Sequence, residues 1–135
     1  MDLEILKIAS NTENNKVLKN HTHFSKLKNT VCGDEMQIEL KIVKDNIADF
    51  GYQCKSCVYC QASASLLSRN SINTSVTNLK KLLETAEIFF EKENAIFPKK
   101  WSIFKKILNK KNSSRKECLL LPLNTTLDAI NKRSV

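Results

Sequence analysis

No stretch of this chain approaches the roughly 20 apolar residues that a membrane-spanning helix needs, so no membrane partner is expected. Glycine and proline are scarce, two of each in 135 residues, and no internal repeat or low-complexity tract appears. The opening "MDLEILKIAS" carries acids and lacks a long apolar run, which makes it a poor signal peptide. A soluble, cytoplasmic protein is the expectation. Five cysteines are an odd number, which argues against a fully paired disulfide framework. In a reducing compartment such thiols more often bind metal or do chemistry than form bridges. Acids are missing altogether between Lys99 and Lys116, where eight basic residues stand, enough to account for the net charge of +8.

What is present is ordinary globular material. Hydrophobic content of 41% and charged content of 27% leave no case for wholesale disorder. The length leaves room for one domain, residues 1–135, around one core. Ile5, Ile8 and Ala9 recur at helical spacing in "EILKIASN", and "TENNKVLKNHTH" is polar and reads as loop. "EMQIELKIV" alternates, with Met36, Ile38, Leu40 and Ile42 on one face, and "IADFGYQC" does so again, with Ala48, Phe50, Tyr52 and Cys54. A "KDN" turn between them predicts an antiparallel hairpin. A helix from Cys57 should end near Asn70 to Asn73, where Asn can take a left-handed cap. "SVTNLKKLLETAEIFFEK" is a clear helical repeat; Pro98 breaks the chain, "KKWSIFKKILNKK" reads as a basic amphipathic helix, and "NSSR" as loop. "NTTLDAINKR" should form a closing helix capped by Asn124. The expected fold class is α+β, a small antiparallel sheet of about three strands with helices packed on one face.

The thiols stand beside the most distinctive words. Cys32 precedes Gly33 and Asp34 at a loop before the first strong strand. Cys57 lies where the hairpin hands over to a helix, and a helix start favours a thiolate. Cys118 follows the basic pair Arg115 and Lys116. Cys32, Cys57 and Cys118 with the Asp34 carboxylate make a four-ligand set of a kind Zn²⁺ accepts, and the same thiolates suit iron–sulfur chemistry. Cys54, Cys57 and Cys60 also form C-x₂-C-x₂-C, but the fourth cysteine and proline of a ferredoxin run are missing. Cys54 falls on the apolar strand face and reads as a small hydrophobe; Cys60, one turn from Cys57, stands between core residue and accessory ligand.

Other candidates are weaker. His21 and His23 sit in a polar loop and read as solvated rather than metal-binding. Ser63 and Ser65 have no motif-placed base, so a serine nucleophile is not expected. The basic segment around Trp101 could meet nucleic acid, but no reader motif accompanies it, and an acidic patch of a partner protein suits it better.

"VCGDEMQIELKI", "SCVYCQASASLL" and "RKECLLLP", in this order and at these separations, resemble the three cysteine segments of the IscU/NifU N-terminal-type scaffold family, including its SufU-like branch. The resemblance runs from about Ile5 to the C-terminus. It implies an IscU/SufE-like fold and a carrier rather than an enzyme. Such a carrier accepts sulfur from a cysteine desulfurase, builds a [2Fe–2S] cluster and passes it to acceptor proteins. It further implies Cys32, Asp34, Cys57 and Cys118 as ligands of the cluster or of Zn²⁺, with Asp34 keeping the cluster labile and Cys118 accepting persulfide sulfur. The alternative within the family is a zinc-binding sulfur acceptor with sulfurtransferase activity, and outside it a basic nucleic-acid-binding protein with structural zinc. Several positions depart from the family pattern. Ser56 replaces its glycine, Cys54 and Cys60 replace other residues, and Glu117 stands in place of the histidine beside the last cysteine. "KKNSSRKE" stands where an "LPPVK"-like chaperone motif is usual.

Overall fold

The computed structural model describes residues 3–30, 33–92, 97 and 99–132. Cys32 and Pro98, both singled out above, lie outside the described residues. The order is α1 (Leu3–Ala9), β1 (His23–Lys28), β2 (Glu35–Val43), β3 (Asn46–Lys55), α2 (Val58–Ser71), α3 (Val76–Thr85), α4 (Ile88–Glu91), two 3₁₀ segments (Lys99–Lys106 and Lys110–Arg115) and α5 (Lys116–Asn131). The strands form an antiparallel meander in the order β1-β2-β3. Helices α2 and α5 pack against each other and against the sheet. This is the α+β arrangement expected.

Alternation explains the hairpin. Met36, Ile38 and Leu40 lie opposite Cys54, Tyr52 and Phe50, so the inward residues of both strands face one core. A register shift after Lys41 pairs Ile42 with Ile47 and leaves Ala48 as the extra residue of a bulge. Ile47, rather than the expected Ala48, is therefore fully buried at that end. The turn places Lys44 and Asp45 both at positive φ, 49° and 63°, as a two-residue hairpin turn requires. Strand β1 falls partly in the stretch expected to be loop. Its inward residue Ser25 is polar and nearly fully buried, so no apolar alternation marks it; the hydroxyl donates to Asp128 Oδ2 of α5 instead.

The opposite face of the sheet is covered by the segment between α1 and β1. Glu39, outward on β2, is buried and accepts from the Leu18 amide (3.2 Å), with His21 Nδ1 3.1 Å from its other oxygen. Gly51 makes the close approach workable, since a Cβ there would stand 2.6 Å from the Lys16 carbonyl oxygen.

Helix α2 explains its own small residues. Cys60, Ala62, Ser63, Ala64, Ser65, Leu66, Leu67 and Ser68 are all buried, because α2 is enclosed by α1, α5 and β3. Ser63 and Ser65 are structural, donating to the Leu119 and Asn11 carbonyls, both at 2.7 Å. Asn73 takes the left-handed conformation (φ 69°) just past α2, as expected. The long repeat after Ser75 divides into α3 and α4 at Ala86–Glu87, with Leu79, Leu82, Leu83, Phe89 and Phe90 buried. The basic segment is 3₁₀ rather than α-helical. Trp101 and Phe104 anchor it in the core, and "NSSR" belongs to the second 3₁₀ turn. Helix α5 begins at Lys116, eight residues before the expected cap Asn124, and runs through Pro122. Pro122 removes one internal hydrogen bond, yet burial of Leu119, Leu120, Leu121 and Leu123 carries the helix across it.

Candidate metal centre

Three local structures aim at one point. The connection between β1 and β2 is closed by the Asn29 amide on the Asp34 carbonyl (2.8 Å) and the Gly33 amide on the Asn29 carbonyl (2.7 Å). Gly33 sits at φ 79°, a conformation costly for a residue with a Cβ, and this turn carries Asp34 inward. Asp34 is buried, and its Oδ2 has no hydrogen-bond partner among the described residues. An unpartnered buried carboxylate oxygen is costly. A cation is the natural way to satisfy it.

Both remaining members stand at helix starts. Cys57 is the N-cap of α2 in extended conformation (φ −72°, ψ 168°), and its side chain makes no capping bond. Cys118 lies in the first turn of α5. The two helix starts are held side by side by the Arg115 guanidinium, 5.1 Å above the Tyr59 ring, and by the bond from Ser63 to Leu119. Partial positive charge at two helix N-termini favours anionic groups between them. Asp34, Cys57 and Cys118 each contribute one ligand atom, and the three atoms lie within 4.8 Å of one another. The edge of a tetrahedral thiolate site is about 3.8 Å when the metal–sulfur bond is about 2.3 Å. A modest contraction would close these donors on an ion.

Cys60 is fully buried and is not one of the three converging residues. Burial pushes its thiol well above the ordinary range, with the Ser56 hydroxyl pulling partly the other way. Cys54 is half-buried on β3, and burial raises its thiol too. His21 is engaged with Glu39 and the Leu18 carbonyl, and His23 Nδ1 with the Thr22 hydroxyl (2.7 Å). Neither histidine joins a metal-competent group among the described residues. Arg115 drew notice only as a basic neighbour of Cys118, and neither its contact with Tyr59 nor the bond from Ser63 to Leu119 was expected. No local pattern marks them, because each acts across a separation of more than 50 residues.

The profile of the NifU-like N-terminal domain family matches residues 2–100. The chain belongs to that family. As a NifU-like domain it is 30% identical to the iron-sulfur cluster assembly scaffold protein IscU of Thermotoga maritima over 130 residues, 96% of this chain and 92% of that protein. The crystal structure of a nitrogen-fixing NifU-like protein (N-terminal) from Brucella abortus is similar at 25% identity and a TM-score of 0.79, covering 96% of this chain and 91% of the other. A protein of Fervidobacterium islandicum AW-1, assigned as an assembly scaffold for the SUF system, shares the fold at a TM-score of 0.86 and 21% identity, with 96% of both chains covered. In this NifU-like chain the family match ends before Cys118, whereas the similarity to the Thermotoga protein spans nearly the whole chain. No helix of the described residues is long and apolar enough to cross a membrane.

Proposed function

We propose that this NifU-like chain is an assembly scaffold for iron–sulfur clusters. It takes sulfur from a cysteine desulfurase, builds a [2Fe–2S] cluster as cargo, and passes it to acceptor proteins. One observation carries the reading: Asp34, Cys57 and Cys118, far apart in sequence, bring a carboxylate oxygen and two sulfurs within 4.8 Å. Cys32, two residues before Asp34, is proposed as the further thiolate.

The donor set matches what a carrier needs. Thiolates hold iron strongly, while one hard carboxylate among them weakens the grip and lets cargo leave. The orphaned Asp34 oxygen supports this role, since among the described residues it has no partner that would keep it from metal. Cys118 is the proposed persulfide acceptor. It is only 7% exposed, so the donor must carry its sulfur into the site rather than meet the thiol at the surface. Cys57, partly exposed beside it, is the more accessible thiol.

The same donors suit Zn²⁺, as in a sulfur-accepting relative, and colour separates the two. Purification without oxygen, followed by iron and acid-labile sulfide analysis, is expected to give a brown protein with both elements. A colourless protein holding zinc alone would favour the sulfur-acceptor alternative, and one holding neither metal would contradict both.

A further inference from the structure

Two cysteines have no task in that reading, Cys54 and Cys60, and they flank Cys57 at equal spacing. We propose that Cys57 and Cys60 form a dithiol pair that reduces persulfide sulfur to sulfide within the protein, a step resting on the sulfur-acceptor part of the function above.

The placement is asymmetric in a useful way. Cys57 caps α2 and is partly exposed; Cys60 is one turn further on and fully buried. The Gln61 amide donates to the Cys57 carbonyl (3.1 Å), so this turn is closed and the two residues share a helix face. Residues three apart on a helix have Cβ atoms about 5–6 Å apart, and a disulfide needs about 3.5–4.5 Å, a small adjustment at an uncapped end. A C-x-x-C pair at a helix start is a recurrent dithiol–disulfide arrangement. Here the outer thiol meets incoming sulfur, and the inner thiol is shielded from being loaded itself.

The chemistry balances. The Cys57 sulfur, whose Sγ lies within 4.8 Å of Cys118 Sγ, attacks the terminal sulfur of a Cys118 persulfide, and Cys118 leaves as a thiol with the proton given up by Cys57. Cys57 now carries the persulfide. The Cys60 sulfur then bonds to Cys57 Sγ, the bond from Sγ to the terminal sulfur breaks, and that sulfur leaves with the electron pair. It takes the proton given up by Cys60 and departs as hydrogen sulfide. The terminal sulfur is reduced and the Cys57–Cys60 pair is oxidised to a disulfide. A low-molecular-weight thiol or a dithiol reductase restores both thiols and frees Cys57 for metal.

The test uses the metal-free full chain, loaded anaerobically with inorganic polysulfide and freed of excess reagent. Wild type is expected to release sulfide without added reductant. Its tryptic peptide Ser56–Arg69, which holds both cysteines, should become two hydrogens lighter. Cys60→Ala should keep the persulfide on Cys57 and lose the sulfide release, and Cys54→Ala should behave as wild type. Undiminished release from Cys60→Ala, or an oxidised product joining Cys54 to the Ser56–Arg69 peptide, overturns the inference. Persulfide persisting on Cys57 of wild type sinks this step alone and leaves the acceptor reading standing. Persulfide on neither Cys57 nor Cys118 sinks both. The wild-type peptide result decides by itself should Cys60→Ala not fold.

Discussion

Asp34 and Cys57 show how much a single side chain decides here. Asp34 is placed by a turn that needs the positive φ of Gly33, and its buried Oδ2 has no hydrogen-bond partner among the described residues. Cys57→Ser keeps nearly the same volume and removes the sulfur, so cluster reconstitution from iron and sulfide is expected to be lost while the fold survives. Normal loading, followed by visible absorbance, would count against its role. Asp34→Ala should give a cluster lost more slowly to a chelator, because the weak carboxylate arm is gone; faster loss would contradict the labile-site argument. These residues were legible in sequence because each stands in a distinctive word. Their supports were not. Arg115 over Tyr59 and Ser63 on Leu119 are contacts between distant segments that no local spacing announces.

Among the elements, the strands β2 and β3 could be read from their alternation, α1 and α3 from their helical repeats, and α2 from its run of small residues. The rest depended on tertiary packing. Strand β1 carries a buried Ser25, so no apolar alternation announced it. The basic segment tightens into 3₁₀ turns so that Trp101 and Phe104 reach the core, and α5 passes through Pro122 because its flanking leucines are buried. Three changes test these accounts. Gly51→Ala puts a methyl group 2.6 Å from the Lys16 carbonyl, and urea unfolding should show a loss of about 1–3 kcal/mol. Lys44→Gly relieves a left-handed non-glycine residue at φ 49° and should raise the thermal midpoint, by up to about 1 kcal/mol of stability. Asp128 is held below the usual carboxylate range by Lys132 first and by the Ser25 hydroxyl second. A depressed folded value means that this contribution is complete above the ordinary carboxylate range and is lost as pH falls through the lowered one. Asp128→Asn should therefore cost about 1 kcal/mol or less near neutral pH and progressively less in acid, a difference that urea titrations at several pH values measure.

For the molecule as a whole, one hydrophobic cluster from Ile5 to Ala129 fixes the starts of α2 and α5 beside the β1–β2 turn. The excess positive charge is partly absorbed into structure. Lys106 pairs with Glu4 at 3.2 Å, Lys116 with Glu87 at 2.8 Å, and Lys100 lies over Trp101. The central claim is that this frame brings Asp34, Cys57 and Cys118 onto one ion. Metal-edge X-ray absorption of the protein loaded anaerobically with zinc tests it most directly. A first shell of sulfur near 2.3 Å with oxygen near 2.0 Å is predicted, the oxygen being lost in Asp34→Ala. A shell of sulfur alone, unchanged in that variant, would contradict the account.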